Sequence, residues 1–486
     1  MRLQGEVNMQ RHLTKQGNEK SNVISIGERR RSLTGRYRSA DERRAEGRAL
    51  RDAVPRESHG GWKAPSDRRD PVEILIKANK DRMPQLIPIR HGRMVESPFA
   101  FYRGSAALMA ADLARTPVTG LRVQACGDAH LLNFGGFATP ERNFIFDIND
   151  FDETLPAPWE WDLKRLAASV VIAGRHLGLR EKDSARAARG TVREYRQRMA
   201  DYSFMHALDV WYDRIDIEKF IKRAPDEETR TRVEQRIEKA RARTVAEHDF
   251  PKLVEQKGST PLIKDNPPLI FHPTAKEAPG MKTQYSEQFA QYRDSIVPSV
   301  RPLFDRFHLC DLAIKAVGVG SVGTRCSIAL FVAGDDDPLF LQIKEARASV
   351  LEPYAGKSVY SNHGERVVVG QRMIQSASDL FLGWTRAKAG FDVYVRQLRD
   401  MKMSALVEGW DFDTLRMYTR TCAWSLAQAH ARTGDAAMIS GYMGSGRSFD
   451  DAICEFAVDY ADQTIGDHKA FAKAIREGRI QAIVED

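Results

Sequence analysis

The sequence has few cysteines and no apolar run long enough to cross a membrane. Its five cysteines are scattered, odd in number and without a close Cys pair, which argues against a disulfide framework and against a structural zinc site. The longest apolar run, AASVVIAG at residues 167–174, is far shorter than the ~20 residues that a membrane-spanning helix needs. The leading stretch MRLQGEVNMQRHLTKQ has no apolar signal core, so we expect a cytoplasmic location.

The surplus of basic residues is confined to the start of the chain. The formal net charge is +8, and residues 1–70 hold 17 Lys and Arg against 10 Asp and Glu, so +7 of it lies there. Such a segment could contact nucleic acid or anionic lipid, but it lacks interleaved aromatic residues on which bases could stack. We expect a disordered, solvated tail over residues 1–38, with nucleic-acid contact as an accessory property only. An N-cap serine and early acidic residues then predict a helix over residues 39–54.

The remaining chain is too long for one ordinary hydrophobic core. Its predicted helices and strands divide it into several regions. An antiparallel sheet without a second layer is not stable by itself, so its strands should pack against the helical part, which predicts an α+β fold. The predicted regions are a helix-rich part at 39–300 with acidic loops at 127–162 and a charged helical insert at about 182–300, a small antiparallel sheet at 305–400, and helices at 401–486.

Carboxylates crowd into two short stretches, GDAHLLNFGG at residues 127–136 and FDINDFDE at residues 146–153. Such groups repel one another and lose hydration when buried, so something positive should lie among them. Oxygen ligands on two neighbouring loops suit Mg²⁺ with a polyphosphate, because Mg²⁺ takes only one or two protein carboxylates besides phosphate oxygens. Asp128 would then be free to orient an attacking hydroxyl or accept its proton. The alternative is that the polar residues only form and cap turns; they are Asp128, Asn133, Asp147, Asn149 and Asp152.

A glycine-rich turn lies between two predicted strands in VGVGSVGTRC. Its glycines Gly318, Gly320 and Gly323 form a G-x-G-x-x-G pattern around Ser321, which alone is a weak signal because many hairpins use glycines for positive φ. The turn does not open a helix, so the pattern fails the test for a dinucleotide-binding fold.

A lysine one hairpin later strengthens the phosphate interpretation. A glycine-rich hairpin with a lysine on the following strand is the arrangement that holds nucleotide phosphates in kinase small lobes, and Lys344 stands at that place in LFLQIKEA. Its acidic partner stays open: Glu352 and Glu365 are candidates, whereas Glu345 should point to the opposite face of the sheet.

The acidic loops resemble the phosphotransfer loops of aminoglycoside phosphotransferases and choline kinases, a branch of the protein-kinase-like superfamily. Those proteins carry H-G-D-x-H-x-x-N, then I-D-F or I-D-W, then D-L-A on the next helix. The matching residues here are Gly127, Asp128, His130 and Asn133, then Asp150 and Phe151, then Asp162 and Leu163. More closely, SPFAFYRGSA, GDAHLLNFGGF, VGVGSVGTRC and HGERVVVGQRMIQSASDLFLGW resemble a bacterial family defined only as domain of unknown function 2252, over roughly residues 40–470.

The resemblance implies an ATP- and Mg²⁺-dependent phosphotransferase acting on an unidentified hydroxyl-bearing small molecule or protein. It implies that Asp128 is the catalytic Asp and that the phosphates are held by Lys344 and the glycine-rich turn. His130 could assist metal or substrate, or could only cap its loop. The implied metal ligands are Asn133 and Asp150, and the implied supporting acids are Asp147, Asp152 and Asp162.

Two departures qualify the resemblance. Cys126 replaces the His before the Gly-Asp pair, and the glycine-rich turn with Lys344 follows the acidic loops, whereas in ordinary kinase-like proteins it precedes them. The sequence therefore predicts a circularly permuted, two-lobe kinase-like fold, which exposed new termini make tolerable. In it, residues 305–400 would be the small lobe, and a helix at residues 415–433 would lie beneath the catalytic loop.

Several alternatives remain at this point. Arg90, Arg93 and Arg103 are candidates for contacts with phosphate or an acidic substrate, or are ordinary surface arginines. The runner-up function is a nucleotide-binding pseudokinase or a protein that transfers AMP. A metal-dependent phosphohydrolase ranks last, because a two-metal site would need a second cluster of His or Asp ligands. We expect acceptor selection in the charged segment at about residues 200–300.

Overall fold

The computed structural model describes residues 37–484 except positions 225, 242–249, 259, 268–269, 273–280, 316–322, 335–336 and 399–401. The predicted tail up to residue 36 and the predicted phosphate-binding residues Gly318, Gly320 and Ser321 therefore lie outside the described residues. The described chain is a mixed α+β protein, as predicted. None of its helices combines the length and the apolar character that a bilayer crossing requires.

The helices begin and end as follows. They are α1 Ala40–Ala53, α2 Pro71–Ala78, α3 Ile87–Val95, α4 Pro98–Gly104, α5 Ala106–Leu113, α6 Trp159–His176, α7 Glu181–Tyr202, α8 Ala207–Tyr212, α9 Ile217–Ile221, α10 Glu227–Arg241, α11 Phe250–Leu253, α12 Met281–Ser295, α13 Arg301–Phe304, α14 Glu352–Ala355, α15 His363–Ile374, α16 Phe412–Thr433, α17 Ala436–Met443 and α18 Ser448–Arg476. Helix α1 confirms the predicted helix and its cap, because the Ser39 hydroxyl accepts from the Glu42 amide and the Glu42 carboxylate accepts from the Ser39 amide.

The strands form four antiparallel sheets. They are β1 Arg122–Ala125, β2 Phe134–Ala138, β3 Phe144–Ile148, β4 Leu155–Pro158, β5 Ile215–Asp216, β6 Val254–Lys257, β7 Thr260–Ile263, β8 Ile270–Phe271, β9 His308–Lys315, β10 Cys326–Val332, β11 Pro338–Ala346, β12 Gly383–Arg386, β13 Asp392–Gln397 and β14 Met403–Ser404. The largest sheet has the order β12-β13-β11-β10-β9-β8, and a second has the order β14-β2-β3-β5. The remaining pairs are β1 with β4 and β6 with β7.

The largest hydrophobic core surrounds helix α6. All residues from Trp159 to Gly174 of this helix are buried, which is the pattern of a helix covered on every side. Helices α7, α16 and α18 pack against it. Side chains from α15 and β13 join the same core, among them Val367, Val368 and Tyr394. The helical part and the six-stranded sheet therefore share apolar packing.

The six-stranded sheet is covered on both faces. Along β10, Ala329 and Phe331 face the core built with helix α12, whereas Ile328 and Leu330 face the core that includes the β6–β7 hairpin. Successive side chains of a strand point to opposite faces, so this alternation gives the sheet two buried sides. Helix α15 packs against the end of the sheet formed by β12 and β13.

The segment predicted as a charged insert contributes several helices to the hydrophobic cores. Helix α7 packs against α6 and α16 and buries Ala188, Val192 and Met199. Helix α12 buries Tyr292 against the six-stranded sheet. The many charged residues of α7 obscured this role in the sequence, although Val192, Tyr195 and Met199 recur at helical spacing. Side chains of α9 and α10, among them Phe220 and Ile237, belong to the largest core as well.

Helix α1 reaches the main body through a close crossing with α17. A Cβ built on Gly47 would lie 2.0 Å from the Met438 carbonyl oxygen, and one built on Gly441 would lie 2.2 Å from the Arg44 carbonyl oxygen. Both distances are too short for any side chain, so the two backbones can approach only because both positions are glycine. This crossing fixes the position of the arginines that α1 carries.

We expect Gly441→Ala to destabilise the protein by about 1–3 kcal/mol, because the added methyl group overpacks a backbone contact. Gly190→Ala is the matched control: it lies inside helix α7 with no atom within 4 Å of the added Cβ. The control should be neutral or stabilising by up to about 1 kcal/mol, since alanine is the better helix former. Urea unfolding of the three proteins measures both effects, and equal stabilities would contradict the crossing.

Candidate active site

Two loops carry the acidic motifs. The Asp128 loop, residues 126–133, leaves strand β1, and the Asp150 loop, residues 149–154, joins β3 to β4. They meet at Gly127, which has φ +83°, and a Cβ there would lie 2.2 Å from the Glu153 carbonyl oxygen. Glycine is therefore required at position 127 both for its left-handed backbone and for the approach of the second loop.

Helix α6 supports the Asp128 loop from below. The Asp162 carboxylate, in the first turn of α6, accepts hydrogen bonds from the Cys126 amide at 2.8 Å and from the Gly127 amide at 3.0 Å. His430 of α16 lies 3.3 Å from the same carboxylate. Helix α16 also donates the Tyr418 hydroxyl to the Leu131 and Phe134 carbonyl oxygens. The predicted helix at residues 415–433 thus lies against this loop.

Asp128 is held by an arginine that sequence reasoning missed. Arg165 donates from Nε to Asp128 Oδ1 at 2.8 Å, and its Nη2 lies 2.7 Å from the same oxygen. The guanidinium also stacks on the Tyr102 ring at 3.9 Å and donates to the Tyr102 carbonyl oxygen. Burial raises the pKa of Asp128, and Arg165 opposes that shift. The arginine lies three residues after Asp162, on the same face of α6, which is the signal that could have revealed it.

His130 and Asn133 shape the Asp128 loop. His130 Nδ1 accepts from the Leu132 amide at 3.2 Å, and its Nε2 lies 3.9 Å from the Asp128 carboxylate. Burial lowers the pKa of His130, and Arg165 adds to the shift. The Asn133 side-chain amide donates to the Asp128 carbonyl oxygen at 2.7 Å. That bond fixes the nitrogen of the amide and leaves its oxygen as the acceptor atom.

The Asp150 loop is tied to the six-stranded sheet by an ion pair. Lys344 Nζ, on β11, donates to Asp152 Oδ2 at 2.8 Å, and the Tyr394 hydroxyl donates to Asp152 Oδ1 at 2.6 Å. Burial works against both charged forms, but the pairing overrides it: Lys344 lowers the pKa of Asp152, and Asp152 raises the pKa of Lys344. Asp150 lies close enough to contribute to the raised pKa of Lys344. The acidic loops and the lysine therefore face each other.

The two predicted partners of Lys344 lie elsewhere. Glu352 is 3.9 Å from His363 Nδ1, and Glu365 stands in the first turn of α15, where its amide donates to Asn362 Oδ1. Glu345 accepts from the Arg325 amide at 2.9 Å. Its position in the sequence, next to Lys344, correctly excluded it as the lysine's partner.

A second arginine, Arg366, joins the Asp150 loop to the end of β11. It is fully buried on α15 and donates to the carbonyl oxygens of Asp152 at 2.7 Å, Thr154 at 2.6 Å and Arg347 at 2.8 Å. Three backbone acceptors from two segments thus converge on one guanidinium, which a lysine could not satisfy in the same geometry. Arg366 is a positioning residue for the site.

Asp147 has a structural role at the base of the same loop. It is buried on β3, and its carboxylate accepts from the Ser376 amide and hydroxyl and from the Ser425 hydroxyl. Burial raises the pKa of Asp147, and these hydrogen bonds oppose the shift. The carboxylate connects α15 and α16 to the sheet of β2 and β3.

Between the two loops and β11 lies a cavity of about 160 Å³, the Asp128 cavity. Its described charged lining residues are the acids Asp128, Asp150, Asp152, Glu153 and Glu345 and the arginines Arg82, Arg90, Arg103 and Arg347. Thr324 lines it as well, and the adjacent Gly323, with φ +90°, accepts from the Met83 amide at 2.7 Å through its carbonyl oxygen. The end of the glycine-rich turn therefore borders the cavity. Arg93, on the same helix as Arg90, is not among the described lining residues.

Burial and mutual repulsion affect the cavity arginines. Burial lowers the pKa of Arg82 to about 10, and the charge of Arg347 adds to the shift. Burial lowers the pKa of Arg90 and of Arg103 too. An anion bound among these groups would be stabilised by all of them, because charge-assisted bonds are strongest away from water. Arg82 and Arg347 belong to no motif that sequence analysis identified.

Acidic groups of the cavity can serve a metal ion or a hydroxyl. Asp128 and Asp150 line it together; Asn133 belongs to the same loop as Asp128 but is not among the described lining residues. One or two carboxylates with an amide oxygen fit the donor set that Mg²⁺ accepts beside a phosphate. Over the part of the chain that the structure describes, no group of three or more His, Cys, Asp or Glu side chains is placed to hold a metal.

The fold and this cavity define an α+β protein with an acidic and arginine-lined cleft between a helical body and an antiparallel sheet. A family model of uncharacterized proteins conserved in bacteria, DUF2252, matches residues 82–474. The chain belongs to this family, as the sequence resemblance predicted. The search of curated proteins and the search of solved structures returned no match.

We expect Lys344→Met to destabilise the protein by roughly 3 kcal/mol, because it leaves the Asp152 charge without its counter-ion in a buried place. The double variant Lys344→Met/Asp152→Asn should cost less than the sum of the two single variants. Urea unfolding of all four proteins measures the coupling. The control is Lys473→Met, which removes an exposed surface pair with Glu477 and should change the free energy of unfolding little. If the costs of the two single variants simply added up in the double variant, the pairing of Lys344 with Asp152 would be contradicted.

Glu153 should make stability depend on pH in a defined direction. Burial raises its pKa to about 7 against the opposing effect of the Val350 amide, which donates to Glu153 Oε2 at 2.7 Å. Because the pKa is higher in the folded state, the stabilisation is present below about pH 4.5 and is lost as pH rises through about 7. Wild type should therefore lose ~1–3 kcal/mol relative to Glu153→Gln between about pH 5 and pH 8. Urea unfolding of both proteins at both pH values tests this. If wild type and variant differed in unfolding free energy by the same amount at pH 5 and pH 8, the expectation would be contradicted.

Proposed function

We propose that the protein is an ATP- and Mg²⁺-dependent phosphotransferase with a protein-kinase-like fold. The acceptor is a hydroxyl group of a small molecule or protein. The observation that carries the proposal is the contact of Lys344 with Asp152, 2.8 Å apart. Through it, β11, the second strand after the glycine-rich turn, meets the loop that follows the catalytic motif, as phosphoryl transfer to a bound hydroxyl requires.

The proposed fold is a circularly permuted kinase. Its small-lobe equivalent would be the six-stranded sheet with α15, and its large-lobe equivalent the helices around α6 and α16. The Asp128 cavity lies between these two parts, which supports the proposal. The chain order differs from that of ordinary kinases, because the acidic loops come first and Lys344 follows them.

In this proposal Asp128 orients the acceptor hydroxyl and accepts its proton. Arg165 keeps the carboxylate in position, and the burial that raises the pKa of Asp128 favours proton acceptance. Asp150 and the Asn133 amide oxygen would hold Mg²⁺. When bound, the ion would neutralise the charge of the phosphate oxygens.

The basic groups of the cavity bind and orient the phosphates. Lys344 is not among the described lining residues; it lies buried behind Asp152, which does line the cavity and which raises the pKa of the lysine so that it stays charged. Arg82, Arg90 and Arg103 add guanidinium donors to the other wall of the cavity. Burial lowers the pKa of all three, and a bound anion would offset that cost. For Arg82 and Arg90 it would also offset the repulsion from neighbouring arginines. Binding energy at these groups would hold the γ-phosphate in line with the hydroxyl.

A second candidate function is supported by one contact. Arg165 pairs with Asp128 directly, and a carboxylate neutralised by an arginine is a weaker base than a free one. This favours a protein that binds nucleotide without transferring the γ-phosphate, or one that transfers AMP instead. The candidate functions differ in whether a phosphate of ATP becomes attached to the acceptor and, if so, which one.

The decisive comparison is Asp128→Asn against wild type. Wild type should show a rise in melting temperature that needs both ATP and Mg²⁺, and it should consume the γ-phosphate of ATP. In the variant we expect turnover to fall at least ~100-fold while the melting shift persists, because the hydroxyl loses its orienting group but the phosphates keep theirs. ATP labelled at the γ- or the α-phosphate reports the transferred group.

Asp413→Asn, at an exposed ion pair with Arg416, is the matched control and should behave as wild type. Undiminished turnover in Asp128→Asn would refute the role of Asp128. Label from the α-phosphate on protein would favour AMP transfer. A melting shift with ATP and Mg²⁺ but no transfer of either label would favour the pseudokinase.

A further inference from the structure

A second cavity, larger than the first, lies between α1, α7 and the segment around α17. Its volume is about 950 Å³, and it shares no described lining residue with the Asp128 cavity. Eight arginines are among its described lining residues, against the acids Glu194 and Asp201. We call it the arginine cavity. Half of its arginines come from helix α1 and the turn that follows it.

One wall of the arginine cavity is formed by α1 and the turn after it. Arg51 donates to the carbonyl oxygens of Gly441 at 2.6 Å and Tyr442 at 2.8 Å, so carbonyl groups rather than a carboxylate satisfy it. Arg48 is exposed and forms no ion pair within the described chain. Burial lowers the pKa of Arg51, and the charges of Arg56 and Arg48 add to the shift. Like charges therefore repel along this wall.

The opposite wall brings three arginines to one carboxylate. Glu194, on α7, accepts from Arg198 at 3.1 Å, from Arg223 at 2.5 Å and from Arg420 at 2.7 Å. Its single negative charge balances only one of the three guanidiniums. Burial lowers the pKa of Arg223, and the charges of Arg198 and Arg420 act in the same direction against the pull of Glu194.

The charges of the cavity do not balance. Among the residues that the structure describes, five carboxylates lie within 4.0 Å of its eight arginines, which leaves a local net charge of +3 for these groups; they are Asp41, Glu57, Glu194, Asp201 and Asp450. Arginine side chains bind phosphate oxygens with paired donors, which is why they predominate where phosphate is recognised. A ligand with three or more negative charges would neutralise the site.

Size and shape favour a small ligand over a nucleic acid chain. A concave volume of this size matches the range that small molecules and cofactors occupy, and the arginines converge on it from two walls. Phe204, beneath the Arg44 guanidinium at 4.1 Å, is the one aromatic residue in the described lining. Single-stranded nucleic acids instead bind along extended basic grooves with several stacking aromatics.

We propose that the arginine cavity binds a small molecule that carries several phosphate groups. This site is independent of the proposed transfer reaction, because the two cavities use different residues. Inorganic tripolyphosphate is the probe, measured by isothermal titration calorimetry without divalent ions and at constant ionic strength. Wild type should bind it saturably.

The test variant is Arg48→Gln/Arg420→Gln. Arg48 has no ion pair to lose, and Arg198 and Arg223 still hold Glu194 when Arg420 is replaced, so the fold should persist. We expect tripolyphosphate to bind about tenfold more weakly or worse. The control Arg180→Gln/Arg386→Gln removes two exposed arginines outside both cavities and should bind as wild type.

For a third variant we expect the opposite change in tripolyphosphate affinity. Glu194→Gln removes the carboxylate that competes with the ligand, so tripolyphosphate should bind several-fold more tightly although the free protein becomes less stable. If Glu194 had only a structural role, its replacement would not increase the affinity for tripolyphosphate.

Equal affinity of the wild type and the Arg48→Gln/Arg420→Gln variant would overturn the proposal, because the phosphates would then bind elsewhere, including the Asp128 cavity. A single-stranded RNA oligonucleotide that binds more tightly than tripolyphosphate, and depends on the same two arginines, would overturn the choice of a small ligand.

Discussion

The Asp150 loop is the point on which the structure depends, because charged groups from a distant part of the chain hold it. Lys344 neutralises Asp152, and Arg366 collects the carbonyl oxygens of Asp152, Thr154 and Arg347. The Glu153 carbonyl oxygen of this loop in turn packs closely against Gly127. Without these bonds the acidic groups would repel one another, and the cavity between the helices and the sheet would lose its shape.

The positive charges of the arginines are compensated differently in the two cavities. In the Asp128 cavity, four arginines face five acidic side chains, so the charges nearly balance and a bound metal ion and phosphate could be accommodated together. In the arginine cavity the acids are outnumbered, and carbonyl groups of α17 satisfy part of the excess. A balanced cluster suits chemistry on a charged group, whereas an unbalanced one suits the capture of an anion.

The sequence predicted the parts of the site that follow from short motifs. The acidic stretches located Asp128, Asp150 and Asp162, and the spacing of strands and helices predicted an α+β fold. It predicted that Lys344 meets the acidic loops but did not identify Asp152 as its partner, because which acid of the loop points at the lysine depends on the fold of the loop. Glu352 and Glu365 are nearer to Lys344 in the sequence than Asp152 is. Proximity along the chain does not determine where a side chain points after a turn, so it did not identify the partner. Arg82 and Arg347 lacked any periodic or motif signal.

The separation of Lys344 from Asp152 in the sequence has a consequence for how the chain folds. Closing a loop of 192 residues costs roughly 4–5 kcal/mol of chain entropy before its contacts form. During synthesis Asp152 emerges long before the lysine that neutralises it, whereas Asp128 meets its partner Arg165 only 37 residues later. Until β11 is in place the Asp152 carboxylate must remain hydrated, so the cleft is completed after the helices around α6 have begun to pack.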